Sequence, residues 1–425
     1  MKVYTDTGDE IIIDDEPIAS GGEGKVCLVS ADQGSPYHNT CVKIYLKDKV
    51  NEGLHEKIKF MSKNPPEDLV ENGFKICWPL KPVYTVRYES AKNLIVKDFK
   101  FGNPAKSGYS ARYEFVGFVM PIAFPESKKL TILTVPKLSK KLSEDWKRKF
   151  DRKEGGSYAF FNRLKLINNL LLPLYNIHKS RKYVIQDLKP DNILVDSRGR
   201  VCLVDMDSIQ ISDTLSSVFY PGSVATAEYI PPEYHRNPFE IQKKSPLSQK
   251  WDMFATAVIF YEIMFGIHPF SVTPKNLAED EMNTVSSNIK NELFPFGRYS
   301  YRINSIENTP HKFYYTLPQE LKDLFRSSFS ANPENRPSAE RWFKAIHRII
   351  ESQKNKFETP PKEGPKVFPP EPPEPPEPPE PPKPEPPKNP QPKQSDNSIT
   401  PGMVIAIIFG LIFIALLITV GIVVT

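Results

Sequence analysis

The stretch "YVIQDLKPDNILV", residues 183–195, sets a polar run between two apolar ones. Six residues later comes a second apolar run, "VCLVDM" (201–206), with Asp205 near its end. The pattern predicts two short strands, "NILV" and "VCLVDM", with Asp187 and Lys189 before the first, Asn192 at its start and Asp205 at the end of the second. Ahead of the loop, "FFNRLKLINNLLLPLYNIHKS" places Leu164, Ile167, Leu171 and Leu174 on one helical face, with Pro173 expected to kink it. Behind it, "WDMFATAVIFYEIMFG" is apolar nearly all round and predicts a buried helix, and "PSAERWFKAIHRIIESQ" predicts an amphipathic one. The first third reads as strands: a hairpin in "IIIDDEPIASGGEGKVCLVS", then "TCVKIYL", "ICWPLKPVYTV" and "YEFVGFVMPIAF", with one helix in "LHEKIKFMSK". The expected class is α+β, a β-rich small lobe followed by a helix-rich large lobe.

Transfer of a phosphoryl group needs few protein parts: a cradle for phosphates, a lysine on them, metal ligands and an acceptor for the nucleophile's proton. Each has a candidate. "ASGGEGKV" offers Gly21, Gly22 and Gly24 with Val26; Gly21 and Gly24 fit the second and third glycines of G-x-G-x-x-G-x-V, and Ala19 stands at the first. A strand rather than a helix follows, which argues against a dinucleotide fingerprint. Nineteen residues after Gly24, Lys43 lies in the apolar strand "CVKIY". It is either an edge lysine facing water or a lysine for α/β-phosphates held by a helix glutamate, for which Glu56 is the candidate and Glu52 the alternative. Asp187 is the candidate proton acceptor and Lys189 the neutraliser of the γ-phosphate. Asn192 and Asp205, 5 and 18 residues after Asp187, are the candidate Mg²⁺ ligands.

From Ile11 to Glu351 the chain resembles the eukaryotic-type (Hanks-type) serine/threonine protein kinase family. "ATAEYIPPE" (225–233) looks like that family's G-T-P-E-Y-x-A-P-E, which puts Thr226 in the P+1 loop and Glu233 at its end. The resemblance implies that Asp252 braces the catalytic loop and that Arg336, in "NPENRP", pairs with Glu233. It makes Met120 the gatekeeper and Pro121 to Ala123, with Ile122 between them, the hinge that meets adenine. It implies a bilobal fold over residues 1–355, divided near 122, that uses ATP and Mg²⁺ to phosphorylate Ser/Thr residues of protein substrates. The alternative is a nucleotide-binding pseudokinase scaffold that recruits partners at a membrane. The family's H-R-D is Ile185-Gln186-Asp187 here, and D-F-G is Asp205-Met206-Asp207, as in a divergent, mostly bacterial branch. With Gln186 in place of arginine, activation is expected not to depend on a phosphorylated loop. Ile185 is expected to replace the histidine by packing, and Met206 to serve as the apolar plug.

Beyond the body the composition changes. Of 43 prolines, 18 fall between Thr359 and Lys393, including "PPEPPEPPEPPEPPKPEPPK" from Pro369. A polyproline II run over Pro369–Lys393 would reach roughly 75–80 Å, as a spacer or as a ligand for an SH3- or WW-like domain. The stretch 403–424 has no charged residue and, as a helix, would cover roughly 33 Å, enough to cross a bilayer. The expected organisation is a linker over 356–401 and a transmembrane helix over 402–425. With Lys383, Lys388 and Lys393 on its N-terminal flank, a single pass with the body facing the cytoplasm is expected. The linker over Thr359–Thr400 holds five Lys against six Glu and one Asp, so the first 358 residues carry +7 of the total +5. That excess does not call for nucleic acid. Eight basic residues in 136–153 are either a solvated face or a patch for anionic lipid or an acidic substrate. Cys27, Cys41, Cys77 and Cys202 show no paired spacing and are expected to be buried free thiols.

Overall fold

The computed structural model describes residues 1–87, 96–97, 112–222, 225–238, 245–276 and 282–357. The strands in chain order begin with β1 (Lys2–Thr5), β2 (Glu10–Ile12), β3 (Ala19–Ser20), β4 (Gly24–Leu28) and β5 (Thr40–Tyr45). There follow β6 (Phe74–Ile76), β7 (Lys81–Arg87), β8 (Val96–Lys97) and β9 (Arg112–Pro121). All but β6 form one antiparallel sheet in the order β2-β1-β7-β9-β5-β4-β3, with β8 on β9. Strand side chains alternate between faces, and β5 shows why that matters. Val42 and Ile44 join Val3, Ile11, Ile13, Cys27, Val83 and Val119 in one apolar cluster. Cys41 and Tyr45 join the other, which includes Ile58 and Met61 of helix α1 (Glu52–Lys63). Lys43 shares the face of Cys41 and Tyr45, so the strand's own period turns it under α1 and away from water, where it is buried.

β6 leaves this sheet. It pairs in parallel with β13 (Val201–Leu203), which pairs with β12 (Ile193–Val195), which pairs with β10 (Lys128–Lys129). A third sheet joins β11 (Tyr183–Val184), β14 (Gln210–Asp213) and β15 (Val218–Tyr220). The helices of the large lobe are α2 (Glu144–Phe150), α3 (Gly156–Lys179), α4 (Pro232–Arg236), α5 (Lys250–Phe265), α6 (Val285–Lys290), α7 (Gln319–Ser328) and α8 (Ala339–Phe357). The architecture is a curled β lobe followed by a helical lobe. α5 is mostly apolar, and all but its first residue are buried, Asp252 and Glu262 among them. α3 carries Leu164, Ile167, Leu171 and Leu174 into the same core, and Pro173 sits inside it without ending it. All four cysteines are buried and free. In the basic segment, Lys147 pairs with Glu144, and Arg148 and Lys149 with Asp145.

α5 ends at Gly266 in the left-handed region, φ 70°. The last carbonyls of a helix lack partners within it and attract cations. Two arginines answer them. Arg152 donates to the carbonyls of Met264 at 2.8 Å, Glu262 at 3.0 Å and Ile263 at 3.1 Å. Arg163, 1% exposed, donates to those of Phe150 at 2.8 Å, Leu133 at 3.0 Å and Ile263. Burial pushes both guanidinium groups down, Arg152 to about 10. Arg163→Met keeps the apolar stem and removes five donors. Unfolding in urea should show a loss of about 1–3 kcal/mol, since the Phe150 carbonyl loses its arginine while those of Leu133 and Ile263 keep Arg152; an unchanged or raised stability would contradict this account.

Among the described residues no helix is long and apolar enough to cross a membrane. From residue 358 on, the expected linker and the expected transmembrane helix lie outside the described residues.

Candidate active site

The β12–β13 hairpin registers Ile193 against Leu203 and Val195 against Val201. Its mouth therefore brings Asn192 opposite Val204, whose N–H donates to the Asn192 carbonyl at 3.0 Å. Asp205 is the next residue. The loop preceding the hairpin is held from below by α5. Asp252, fully buried, accepts the backbone N–H groups of Ile185 at 2.8 Å and Gln186 at 3.0 Å. The Trp251 indole donates to the Gln186 carbonyl at 2.8 Å. Gln186 is thereby fixed at φ 64°, an uncommon conformation for a residue with a side chain. Ile185 packs in the core, as expected, but it is not the whole replacement for the family's histidine. His178, at the end of α3, meets Asp252 through Nε2 at 2.8 Å. The Gln186 side chain lies over Gly222, where a Cβ would come within 2.1 Å of its Oε1, so a larger residue there would displace the Gln186 amide.

Four candidates converge, three from the single loop 187–192 and the fourth, Thr226, 39 residues after Asp187. Asp187 is 6% exposed. Its Oδ1 accepts Thr226 Oγ1 at 2.7 Å, and its Oδ2 meets Lys189 Nζ at 2.8 Å. Lys189 also donates to Thr226 Oγ1 at 2.9 Å. Asn192 Nδ2 donates to the Asp187 carbonyl at 2.9 Å and to Oδ2 at 3.1 Å. Asp205 is in the left-handed region, φ 57°, which acids tolerate better than most residues. Its side chain is half exposed, and burial with the nearby Asp207 charge raises its carboxyl above the ordinary range despite Lys43.

The expected pair of Lys43 with Glu56 is not formed. Glu56 turns outward on α1, its side chain 44% exposed, and takes Lys59 at 2.7 Å. Glu52, the alternative, is exposed at the start of the helix. Lys43 Nζ instead meets Asp207 at 2.8 and 3.0 Å, Glu23 at 3.1 Å and Asp205 at 3.4 Å. Tyr45 Oη donates to Asp207 Oδ2 at 2.6 Å. Burial alone would lower the Lys43 ammonium; the carboxylates outweigh it and hold it above the lysine range. α1 sends Lys57 inward, and burial lowers that ammonium to about 8. Met206 is a buried plug in the core, as expected.

In the glycine turn, Gly21 N–H donates to the Gly24 carbonyl at 2.9 Å, and Ala19 registers against Val26. Gly24 is required by the sheet itself, since a Cβ would lie 2.1 Å from the Ile44 carbonyl. Gly21 and Gly22 face open space. Met120 is registered opposite Cys41, two residues before Lys43. At the hinge, Ile122 changes role: its N–H donates to Asn39 at 3.1 Å and its carbonyl accepts Lys75 at 3.0 Å, so its main chain is committed within the protein.

Further out, Arg336 clasps Glu233 through both nitrogens, at 2.7 and 2.6 Å. The segment after Asp207 forms the β14–β15 hairpin, a pair of strands not among those expected from the sequence. Asp213 caps it through Leu215 N–H and Ser216 Oγ and pairs with Lys182 at 3.0 Å. Tyr229 donates to Glu262 at 3.1 Å. Burial pushes the Glu262 carboxyl up to about 8, against that bond. The folded chain therefore keeps a proton there that the unfolded chain releases near pH 4.5. This contribution is present below about pH 4.5 and is lost as pH rises through about 8. Between pH 5 and 8 the wild type should lose stability relative to Glu262→Gln, by at most about 1.4 kcal/mol per unit in urea unfolding; parallel pH profiles would refute it.

A family model described as a protein kinase domain matches residues 139–346, a stretch that begins beyond the glycine turn and Lys43. The serine/threonine-protein kinase Genghis Khan of Drosophila melanogaster is 36% identical over 104 residues, 24% of this chain and 6% of that protein. The serine/threonine-protein kinase TOUSLED of Arabidopsis thaliana is 29% identical over 170 residues, 39% of this chain and 21% of that protein. The chain thus spans under a quarter of the length of either relative. A solved structure of the ROP18 kinase domain in complex with AMP-PNP and sucrose aligns with a TM-score of 0.49 at 16% identity, covering 84% of this chain and 86% of that one. The convergence of Asp187, Lys189, Asn192 and Thr226 lies inside the stretch 139–346, which is that of a protein kinase domain.

Proposed function

We propose that the chain transfers the γ-phosphate of ATP to Ser/Thr hydroxyls of protein substrates. The observation that carries this is the buried contact set of Asp187 with Thr226, Lys189 and Asn192. Asp187 takes the hydroxyl proton as the new O–P bond forms and the bond to the β-phosphate oxygen breaks, releasing ADP. Lys189, two residues on, neutralises the transferred group. Lys43 steers the α/β-phosphates beneath the open turn at Gly21 and Gly22. The donor set fits Mg²⁺: the Asn192 amide nitrogen is committed to Asp187, which leaves its Oδ1 as a hard oxygen donor, and Asp205 offers a half-exposed carboxylate. When bound, the ion would supply charge neutralisation on the phosphate oxygens. Catalysis is then mainly positioning and electrostatics.

The test is transfer of labelled γ-phosphate from Mg·ATP by the full chain in detergent, beside Asp187→Ala. Both autophosphorylation and a basic protein substrate are scored. Incorporation absent from the variant supports the reading. Nucleotide binding without incorporation by the wild type points to the scaffold.

The uncharged stretch 403–424 supports a membrane anchor, with the proline run as spacer and the body in the cytoplasm. Protease added to inside-out inner-membrane vesicles or to intact organelles, where it meets the cytoplasmic face, should release the body; full protection would reverse the orientation.

A further inference from the structure

We propose that Asp207 is the residue that positions Lys43, in place of an acid on helix α1; this rests on the kinase reading above. Both Asp207 oxygens lie on Lys43 Nζ, at 2.8 and 3.0 Å, and its side chain is 3% exposed. A buried carboxylate with two charge-assisted contacts and a Tyr45 hydroxyl at 2.6 Å is a firm anchor. Glu23 differs: it makes one contact, at 3.1 Å, from a half-exposed side chain on the open turn, so an incoming phosphate can replace it while Asp207 stays.

The helix carries the complementary change. Lys57, 6% exposed, is the residue α1 turns toward this cluster, and it senses the charges of Asp207, Glu23 and Lys43. The acid has moved to the Met206–Ser208 turn, and the helix presents a cation where an acid would serve. One consequence is mechanical. The anchor of Lys43 and the carboxylate of Asp205 share a single turn, so Lys43 does not depend on a helix swinging in to deliver its partner.

The experiment uses the full chain with Asp207→Asn, Asp207→Gly, Glu56→Gln and the double variant Asp207→Gly with Lys57→Glu. Transfer kinetics and ADP affinity are both measured. Asp207→Asn should lower kcat/KM about 100-fold and weaken ADP about 10-fold, while Glu56→Gln stays within about 2-fold. The double variant restores an acid on the helix and should recover at least about 10-fold over Asp207→Gly, which a residue needed only for folding would not allow. Near-wild-type kinetics in Asp207→Asn, a Glu56→Gln loss as large, or no recovery in the double variant would each overturn the assignment. If the wild type binds ADP but transfers nothing, the kinase reading fails and the ADP affinities alone decide for or against Asp207. Absence of ADP binding by the wild type overturns both.

Discussion

Asp187→Asn is expected to lower turnover about 10²- to 10⁴-fold, the range a positioned general base contributes, with ADP affinity changed less than about 2-fold. The amide has nearly the same shape. Its oxygen can still accept the Thr226 hydroxyl, which sits 2.7 Å from Oδ1 in the wild type. What it loses is the ability to take a proton and to balance Lys189, 2.8 Å from Oδ2. The loss should therefore fall on kcat, because the nucleotide contacts proposed above are those of Lys43 and the glycine turn, not of Asp187. Single-turnover transfer at saturating Mg·ATP separates the two quantities. A variant that keeps more than a tenth of wild-type kcat would mean that Asp187 only braces its loop.

The parts that could be read in the sequence are those whose meaning is carried by local spacing. Asp187, Lys189 and Asn192 lie within six residues, and the hairpin behind them needs only two short apolar runs. Arg336 and Glu233 were legible through the family resemblance alone, being 103 residues apart. The partner of Lys43 was misassigned, although the helix held a signal. At about 100° per residue, Leu54, Ile58 and Met61 define the inward face of α1. Glu56 then falls about 200° round from Leu54, toward solvent, and Lys57 about 300°, at the edge of the buried face. The periodicity that predicted the helix also excluded Glu56 from its inner side. Other features had no local signal. The parallel pairing of β6 with β13 joins residues 127 apart in sequence (Phe74 with Val201), and no pattern in "FKI" distinguishes it from a strand of the first sheet. In the sequence Asp207 is visible only as an acid at the glycine position of D-F-G, because its partner lies 164 residues away. His178 lies on the last turn of a helix whose apolar face was the visible signal, so its contact with Asp252 emerges only from the fold.

That contact bears on the other large expected effect, from Asp252→Ala. The Asp252 carboxylate accepts two backbone N–H groups of the catalytic loop and the His178 ring, and it is fully buried. Alanine leaves both N–H groups without a partner in a place water does not reach. Each costs about 1–3 kcal/mol, so a total near 3–5 kcal/mol is expected in urea unfolding. The strained Gln186, φ 64°, is held there by these bonds together with the Trp251 indole. Freed of two of its three ties, it should relax toward ordinary backbone angles and carry Asp187 with it. Transfer should then fall at least about 100-fold even at temperatures where the variant stays folded. His178→Ala provides the contrast. It removes one of three ligands of Asp252 and leaves both N–H bonds intact, so about 1 kcal/mol and a small kinetic effect are expected. If His178→Ala matched Asp252→Ala in both measurements, the histidine rather than the backbone bonds would set the loop, and the division of labour between Ile185 and His178 would have to be redrawn. If Asp252→Ala were stable within about 1 kcal/mol of the wild type, the loop would be held by its own hairpin, and α5 would be a core element with no part in the chemistry.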